Sequence, residues 1–315
     1  MGLNAYPDFN SFIEHMNPTD FIWQNGNFVP WDQAQTHILT HTLHYSGGAF
    51  EGIRAYKTEK GAAIFRLQEH IDRLFYSASI LKMEIPWTKE AITQATKEII
   101  SKNKIQEGYI RPLVYYGYGI MGLKPFGAPV CVAIACWPWG SYLPHETVDV
   151  KVSSFMRIHP RSTVVEAKLC GHYLNSIMAS LELRGTEYHE ALLLDAEGNI
   201  AEGPGENLFV VKNGELITPK LGTILGGITR DTVREIAKVE SIKVSERTLS
   251  VDDVHQADEA FFTGTAAEIT PIRSLDKKQI GKLSPGPVTK LIKNAYENIT
   301  RGKDARFDRY LTVIE

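Results

Sequence analysis

Asn25-Gly26 and Asn213-Gly214 each interrupt short runs of branched and aromatic residues, and Asn-Gly supplies the two positive φ angles that a two-residue β-hairpin requires. The residues from Phe21 to Val29 therefore read as strand, turn and strand, and the same device recurs in the second half of the chain. A chain with hairpins in both halves and helical patterns between them packs as α+β rather than as a regular βαβ series.

The helical patterns are specific. Ile71, Leu74, Phe75, Ala78 and Leu81 form one stripe over Glu69–Met83, with Asp72 and Lys82 off it, and a second helix is expected over Lys89–Lys102. Tyr109–Tyr116 and Val130–Ala135 read as strands. In the second half the pattern predicts strands at Val150–Met156, Ala191–Asp195, Asn207–Val211 and Glu259–Thr263, and helices at Tyr173–Arg184, Thr229–Lys238 and Val288–Ile299. Gly117-Tyr118-Gly119-Ile120-Met121-Gly122 echoes a dinucleotide fingerprint, but Pro125 and Gly127 prevent the helix that such a motif needs.

At 315 residues the chain exceeds the size at which one core stops growing. The stretch Trp137-Pro138-Trp139-Gly140-Ser141-Tyr142-Leu143-Pro144 breaks any regular element. It predicts an N-terminal domain over residues 1–137, a connector over 138–148 and a second domain over 149–315.

A net charge of -3 with no basic block argues against capture of nucleic acid or of an anionic membrane. No apolar run approaches the roughly 20 residues of a membrane span. The start, Met1-Gly2-Leu3-Asn4-Ala5-Tyr6, lacks the regions of a signal peptide and the Ser or Thr of a myristoylation site. Cys131, Cys136 and Cys170 show no paired spacing, which suggests reduced thiols, no metal site and a cytoplasmic protein. Small molecules are the expected partners.

Three features carry chemistry. Lys168 lies among small and apolar residues, Val164-Val165-Glu166-Ala167 before it and Leu169-Cys170-Gly171 after it, where desolvation favours the free amine. Glu202 follows an alternating hairpin at Leu192–Ile200 and precedes Gly203 and Gly205, which let backbone approach a flat ligand. Gly226-Gly227-Ile228-Thr229 opens a helix whose free N–H groups face an anion. An amine, an acid and a phosphate-sized turn are the requirements of pyridoxal 5'-phosphate (PLP) chemistry. Each has an ordinary reading as well: a surface lysine, a rim carboxylate and a Thr229 N-cap.

Taken together and in this order, the motifs resemble fold-type IV PLP enzymes, and most closely the branched-chain amino acid aminotransferases. The resemblance spans nearly the whole chain. It is carried by His44-Tyr45 with Phe50-Glu51-Gly52-Ile53-Arg54, Tyr109-Ile110-Arg111-Pro112, Glu202–Phe209, Gly227–Asp231 and Gly264–Glu268. It implies a two-domain α+β enzyme with a smaller α/β N-terminal domain and a larger, β-barrel-like C-terminal domain with helices.

Residue by residue, the resemblance makes Lys168 the Schiff-base lysine and proton carrier, Glu202 the partner of the pyridine nitrogen and Tyr173 the partner of the ring oxygen. Arg73, Ile228, Thr229 and Thr265 would hold the phosphate, with Leu225 beneath the ring. Arg73 reads equally as the solvent face of its helix. Tyr45, Phe50, Gly52, Trp139 and Tyr142 would wall an aliphatic pocket. Tyr109 and Arg111 would accept the second carboxylate of glutamate, and the amides of Thr265 and Ala266 the α-carboxylate. Leu169-Cys170-Gly171-His172 departs from the family's small-residue run with Asn after the lysine, and Tyr118–Phe126 follows no family pattern.

The implied reaction is ping-pong transfer of the amino group of leucine, isoleucine or valine to 2-oxoglutarate, giving branched-chain 2-oxo acids and glutamate, in a homo-oligomer, a dimer or a hexamer. The same fold also hosts D-amino acid and (R)-amine transaminases and the lyase that makes 4-aminobenzoate from aminodeoxychorismate. These are the alternatives.

Overall fold

A computed structural model describes residues 17–140, 143 and 145–314. Readings that fall on the N-terminal sixteen residues, or on Ser141, Tyr142 and Pro144, lie outside the described residues.

In chain order the strands and helices are β1 (Phe21–Gln24), β2 (Asn27–Pro30), α1 (His41–Tyr45), β3 (Gly48–Phe50), β4 (Ile53–Thr58), β5 (Gly61–Phe65), α2 (Leu67–Ile80), α3 (Lys89–Lys102), β6 (Gly108–Tyr116) and β7 (Val130–Trp137). The second half adds β8 (Val148–Val152), α4 (Tyr173–Leu181), β9 (Glu190–Leu192), β10 (Asn207–Lys212), β11 (Glu215–Thr218), α5 (Ile228–Val239), β12 (Val244–Glu246) and α6 (Val251–His255). It closes with β13 (Glu259–Gly264), β14 (Glu268–Leu275), β15 (Lys278–Gln279), α7 (Pro287–Thr300) and β16 (Leu311–Val313).

Both Asn-Gly turns form as the chemistry demands: Asn25 and Gly26 have φ of 48° and 91°, and Asn213 and Gly214 have 50° and 76°. They join β1 to β2 and β10 to β11 as antiparallel pairs. The strands fall into two sheets. The first has the order β16-β5-β4-β6-β7-β1-β2, with β3 on β6, and every pairing in it is antiparallel. The second has the order β12-β11-β10-β13-β14-β8-β9, with β15 on β14. Here β11–β12, β14–β8 and β8–β9 are parallel. The last strand thus returns to the first sheet, where Leu311 pairs with Phe65.

The apolar stripe of α2 packs with α3 on the first sheet: Ile71, Leu74, Ala78, Ile92 and Ile99 share one core with Ile53, Ile110 and Val132. Along β10, Leu208 and Val210 face one core while Phe209 and Val211 face another beneath α5 and α7. This burial on both faces explains the unbroken apolar run of that strand. Tyr56 and Phe65 of the first sheet join the second of these cores, and the Tyr56 hydroxyl donates to Glu268 Oε1 at 2.7 Å, so the two sheets meet along a packed seam.

Four expected elements end early, the strand expected over Ala191–Asp195 stopping at Leu192. The strand from Val150 stops at Val152 because Ser153 and Ser154 turn to the Glu182 carboxylate. The helix from Tyr173 stops at Leu181, and the one from Glu69 begins at Leu67 and stops at Ile80. No helix follows Gly117–Gly122.

Candidate active site

At the seam, two adjoining cavities share Lys168, Tyr173, Gly205, Glu206 and Thr265. The lysine is fixed by its backbone before its side chain is considered. Its N–H donates to Ser77 Oγ on α2 at 2.9 Å, and its carbonyl accepts from Phe50 N at 3.1 Å. Val165, Ala167 and Leu169 around it are buried, the apolar company its sequence suggests. Nζ donates to the Tyr173 hydroxyl at 2.6 Å, and Tyr173 opens α4 five residues on.

Glu202 closes the far end of the first cavity. It is 5% exposed and accepts three hydrogen bonds: from Arg157 Nε at 2.5 Å, Asn207 Nδ2 at 2.9 Å and Leu225 N at 3.1 Å. Burial raises its carboxyl above the usual carboxylate range, while the charge and hydrogen bond of Arg157 and the Leu225 N–H oppose that rise. Neither Arg157 nor Asn207 is singled out by the sequence pattern. Asn207 also donates to the Leu225 carbonyl at 2.8 Å, which draws the Leu225 loop over the cavity. A Cβ at Gly227 would stand 2.0 Å from Asn207 Oδ1, so this contact requires glycine there.

The opposite end is a cradle for an anion. Helix α5 begins at Ile228 with Gly227 as N-cap, so Thr229 is not the cap that a local reading allows; it lies buried inside the first turn. The first N–H groups of a helix lack intrahelical acceptors and carry its positive dipole end. Ile228, Thr229, Thr265 and Arg73 line the cavity around them. Arg73 is not on a solvent face: its side chain is 14% exposed and donates through Nε and Nη2 to Glu51 and through Nη1 to the Gly226 carbonyl. Arg66, at the start of α2, donates through Nη1 to Asp231 and to the Ile228 carbonyl, which ties that helix to the cradle.

The second cavity is lined by Phe50, Gly52, Tyr109, Arg111, Leu113, Trp139, Cys170, Ile177 and Ala266 together with the shared residues. Tyr109 and Trp139 meet edge to face with centroids 4.5 Å apart. Arg111 lies over the Phe50 ring at 4.7 Å and donates to the Tyr109 hydroxyl at 3.3 Å. A Cβ at Gly52 would fall 1.9 Å from that hydroxyl, so only glycine leaves room for the phenol. Arg54 holds the connector in place, donating to the carbonyls of Trp139 at 2.9 Å and Gly140 at 2.6 Å.

All the sequence-predicted residues that the structure describes converge here except one. Tyr45 is 40% exposed, packs its ring at a tilt against His41 and does not line the cavity of its own chain, because α1 ends at Tyr45 and Ser46 reverses the chain in a left-handed conformation. Tyr142 lies outside the described residues. Burial pushes the Cys170 thiol up to about 11 and His172 down to about 4, so neither departure after Lys168 adds a group charged at neutral pH. Among the described residues no group of three or more His, Cys, Asp or Glu side chains is placed to hold a metal ion, and no helix is long and apolar enough to cross a membrane.

A lysine between an ion-paired acid and an anion cradle, opening onto an aromatic cavity with one arginine, defines a site for a phosphorylated cofactor that reacts with an amine. Residues 48–275 match the family described as amino-transferase class IV, and the chain belongs to that family. It is 45% identical over 298 residues to a branched-chain-amino-acid aminotransferase of Pseudomonas aeruginosa, covering 93% of this chain and 97% of that one. Its fold matches the crystal structure of a branched-chain amino acid aminotransferase from Thermobaculum terrenum in its PLP-bound holo form, with TM-score 0.90, 34% identity and coverage of 95% of this chain and 99% of that one. The branched-chain aminotransferase of the thermophilic archaeon Thermoproteus uzoniensis, crystallised with norvaline, matches with TM-score 0.91, 40% identity and coverage of 94% and 100%.

Proposed function

We propose that this chain is a PLP-dependent branched-chain amino acid aminotransferase, passing the amino group of leucine, isoleucine or valine to 2-oxoglutarate and so yielding branched-chain 2-oxo acids and glutamate. When bound, the cofactor supplies an aldehyde that links to an amine and a ring that withdraws electrons. The donor set fits it. Lys168 Nζ would be the amine, the cradle of Arg73, Ile228, Thr229 and Thr265 would hold the phosphate, Leu225 would pack on the ring, and Glu202, paired with Arg157, would serve the ring nitrogen. Tyr173 accepts from Nζ and would also reach the ring oxygen. Once substrate has taken its place, Lys168 Nζ would take the α-proton of the amino donor in the first half-reaction and deliver a proton to the α-carbon of the 2-oxo acid acceptor in the second, the cofactor's aldehyde carbon being the other end of each transfer.

One observation carries the choice of substrate: a cavity walled by Phe50, Tyr109 and Trp139 contains a single arginine, Arg111, among its lining residues. An aliphatic side chain packs on the aromatic walls, and the second carboxylate of 2-oxoglutarate or glutamate finds the planar fork of Arg111. The amides of Thr265 and Ala266 take the α-carboxylate.

The protein works as a homo-oligomer, a dimer or a hexamer, in the cytoplasm. Leu174, Ile177, Met178 and Leu181 form an exposed apolar stripe on α4, beside the substrate cavity, and such a stripe calls for a partner surface. A pocket role for Tyr45 requires that neighbouring copy. The division into residues 1–137, a connector over 138–148 and 149–315 belongs to the same proposal, with β16 crossing back to the first sheet.

The test is an assay of donors against 2-oxoglutarate. L-leucine, L-isoleucine and L-valine should yield glutamate far faster than D-leucine or an (R)-amine. Preference for the D or (R) donor, or release of pyruvate from aminodeoxychorismate, would move the chain to one of the alternative activities.

A further inference from the structure

We infer that Glu51 and His70 are positioning residues for the phosphate end of the site, acting by holding the Arg73 guanidinium in the orientation from which its remaining N–H groups reach an anion. The inference rests on the reading of the cavity as a PLP site and concerns two residues that do not line it.

Glu51 is fully buried between Phe50 and Gly52, two walls of the substrate cavity, with its N–H on the Pro112 carbonyl at 2.9 Å. Its side chain turns to α2. Oε1 accepts from Arg73 Nε at 2.6 Å, and Oε2 accepts from Arg73 Nη2 at 2.9 Å and contacts His70 Nδ1 at 2.7 Å. The Gly226 carbonyl takes Nη1 at 2.9 Å. Guanidinium and carboxylate thus meet in a two-point fork, braced at a third corner, and His70 keeps the carboxylate from rotating. A guanidinium has five N–H groups. These contacts use three of them and leave one on Nη1 and one on Nη2.

Charge sharpens the point. Arg73 and Glu51 cancel, so the pair offers a phosphate direction more than net attraction, while the start of α5 supplies the positive field. Removing the Glu51 charge therefore has two opposed effects: it unmasks a cation that attracts an anion, and it frees the guanidinium to turn. A positioning role means that the second effect wins.

The experiment uses protein stripped of cofactor and retitrated with PLP and with pyridoxal, which lacks the phosphate, following the visible chromophore. Wild-type protein that takes up no PLP would undo the reading of the cavity itself, separately from this inference. In Glu51→Gln the Kd for PLP should rise about tenfold or more, as the loss of a charge-assisted fork implies, while that for pyridoxal stays about unchanged. Glu51→Asp keeps the buried charge balanced but withdraws the fork by one methylene, and should show the same split. His70→Gln should move PLP in the same direction by a smaller factor. Unchanged or tighter PLP binding in the two Glu51 variants, or parallel loss of PLP and pyridoxal, would overturn the role of Glu51, and an unmoved His70→Gln would remove His70.

Discussion

The Tyr173 hydroxyl stands 2.6 Å from Lys168 Nζ, and the same phenol ring packs on Phe50 with centroids 4.8 Å apart. One aromatic side chain therefore touches the reactive amine and the wall of the substrate cavity. Replacing it with Phe keeps the packing and deletes the hydrogen bond. Tyr173→Phe should fold normally, bind PLP and lose about tenfold in kcat, with a displaced pH midpoint of the chromophore measured by absorbance titration.

Glu202→Gln tests the far end of the cofactor cavity. The amide keeps the shape but faces Arg157 without charge and, on the proposed role, would leave the ring nitrogen without its anion; a charge-assisted bond of about 1.5–3 kcal/mol corresponds to a loss of about 10- to 100-fold in kcat with cofactor still bound. Stopped-flow traces with leucine give the number. Near-normal turnover would mean that Glu202 only anchors the Leu225 loop.

Much of the fold can be read from the chain. Both Asn-Gly turns, the α2 stripe and the whole of α3 are legible because local pattern and tertiary role agree there. Strands β3, β4 and β5 escape a reading by pattern, since Gly48–Phe50 is short and Gly61-Ala62-Ala63 has little β signal; they exist because the neighbouring strands pair with them. The site divides along the same line. Lys168 and Glu202 stand out by their neighbours, whereas Arg157 and Asn207, 45 and 5 residues from Glu202, are joined to it by tertiary contacts that no spacing reveals. Tyr45 follows another logic: a motif places it near Phe50 in sequence, but the turn at Ser46 carries it away from the cavity of its own chain.

Arg111→Met separates the two half-reactions. Among the described residues the Arg111 guanidinium packs on Phe50 and Tyr109 and donates to the Tyr109 hydroxyl, which leaves its planar fork available to a second carboxylate. Single-turnover rates with glutamate should fall at least about tenfold more than those with leucine. Equal losses would make Arg111 a brace for the aromatic wall.

Glu190 gives a pH test of stability. Burial raises its carboxyl to about 7, and Glu206, buried beside it, is raised by burial and by Glu190, with Glu202 adding to the rise and Lys168 opposing it. An acid whose folded pKa lies above its unfolded value binds more protons when folded, so the contribution of Glu190 to stability is greatest below about pH 4.5 and is lost as pH rises through 7. Glu190→Gln removes that decline. Its Tm should exceed that of wild type at pH 8 by a few degrees, for a penalty on the order of a few kcal/mol, and the gap should close at pH 5. A gap independent of pH would show that the carboxyl is not the cause.

The central claim is that Lys168 carries the cofactor. Borohydride reduction of the protein loaded with PLP, followed by digestion and peptide mass mapping, tests it most directly. The account predicts a single phosphopyridoxyl adduct on Lys168, absent from Lys168→Ala. A stable adduct on another lysine, or no adduct in protein that has taken up PLP, would contradict it.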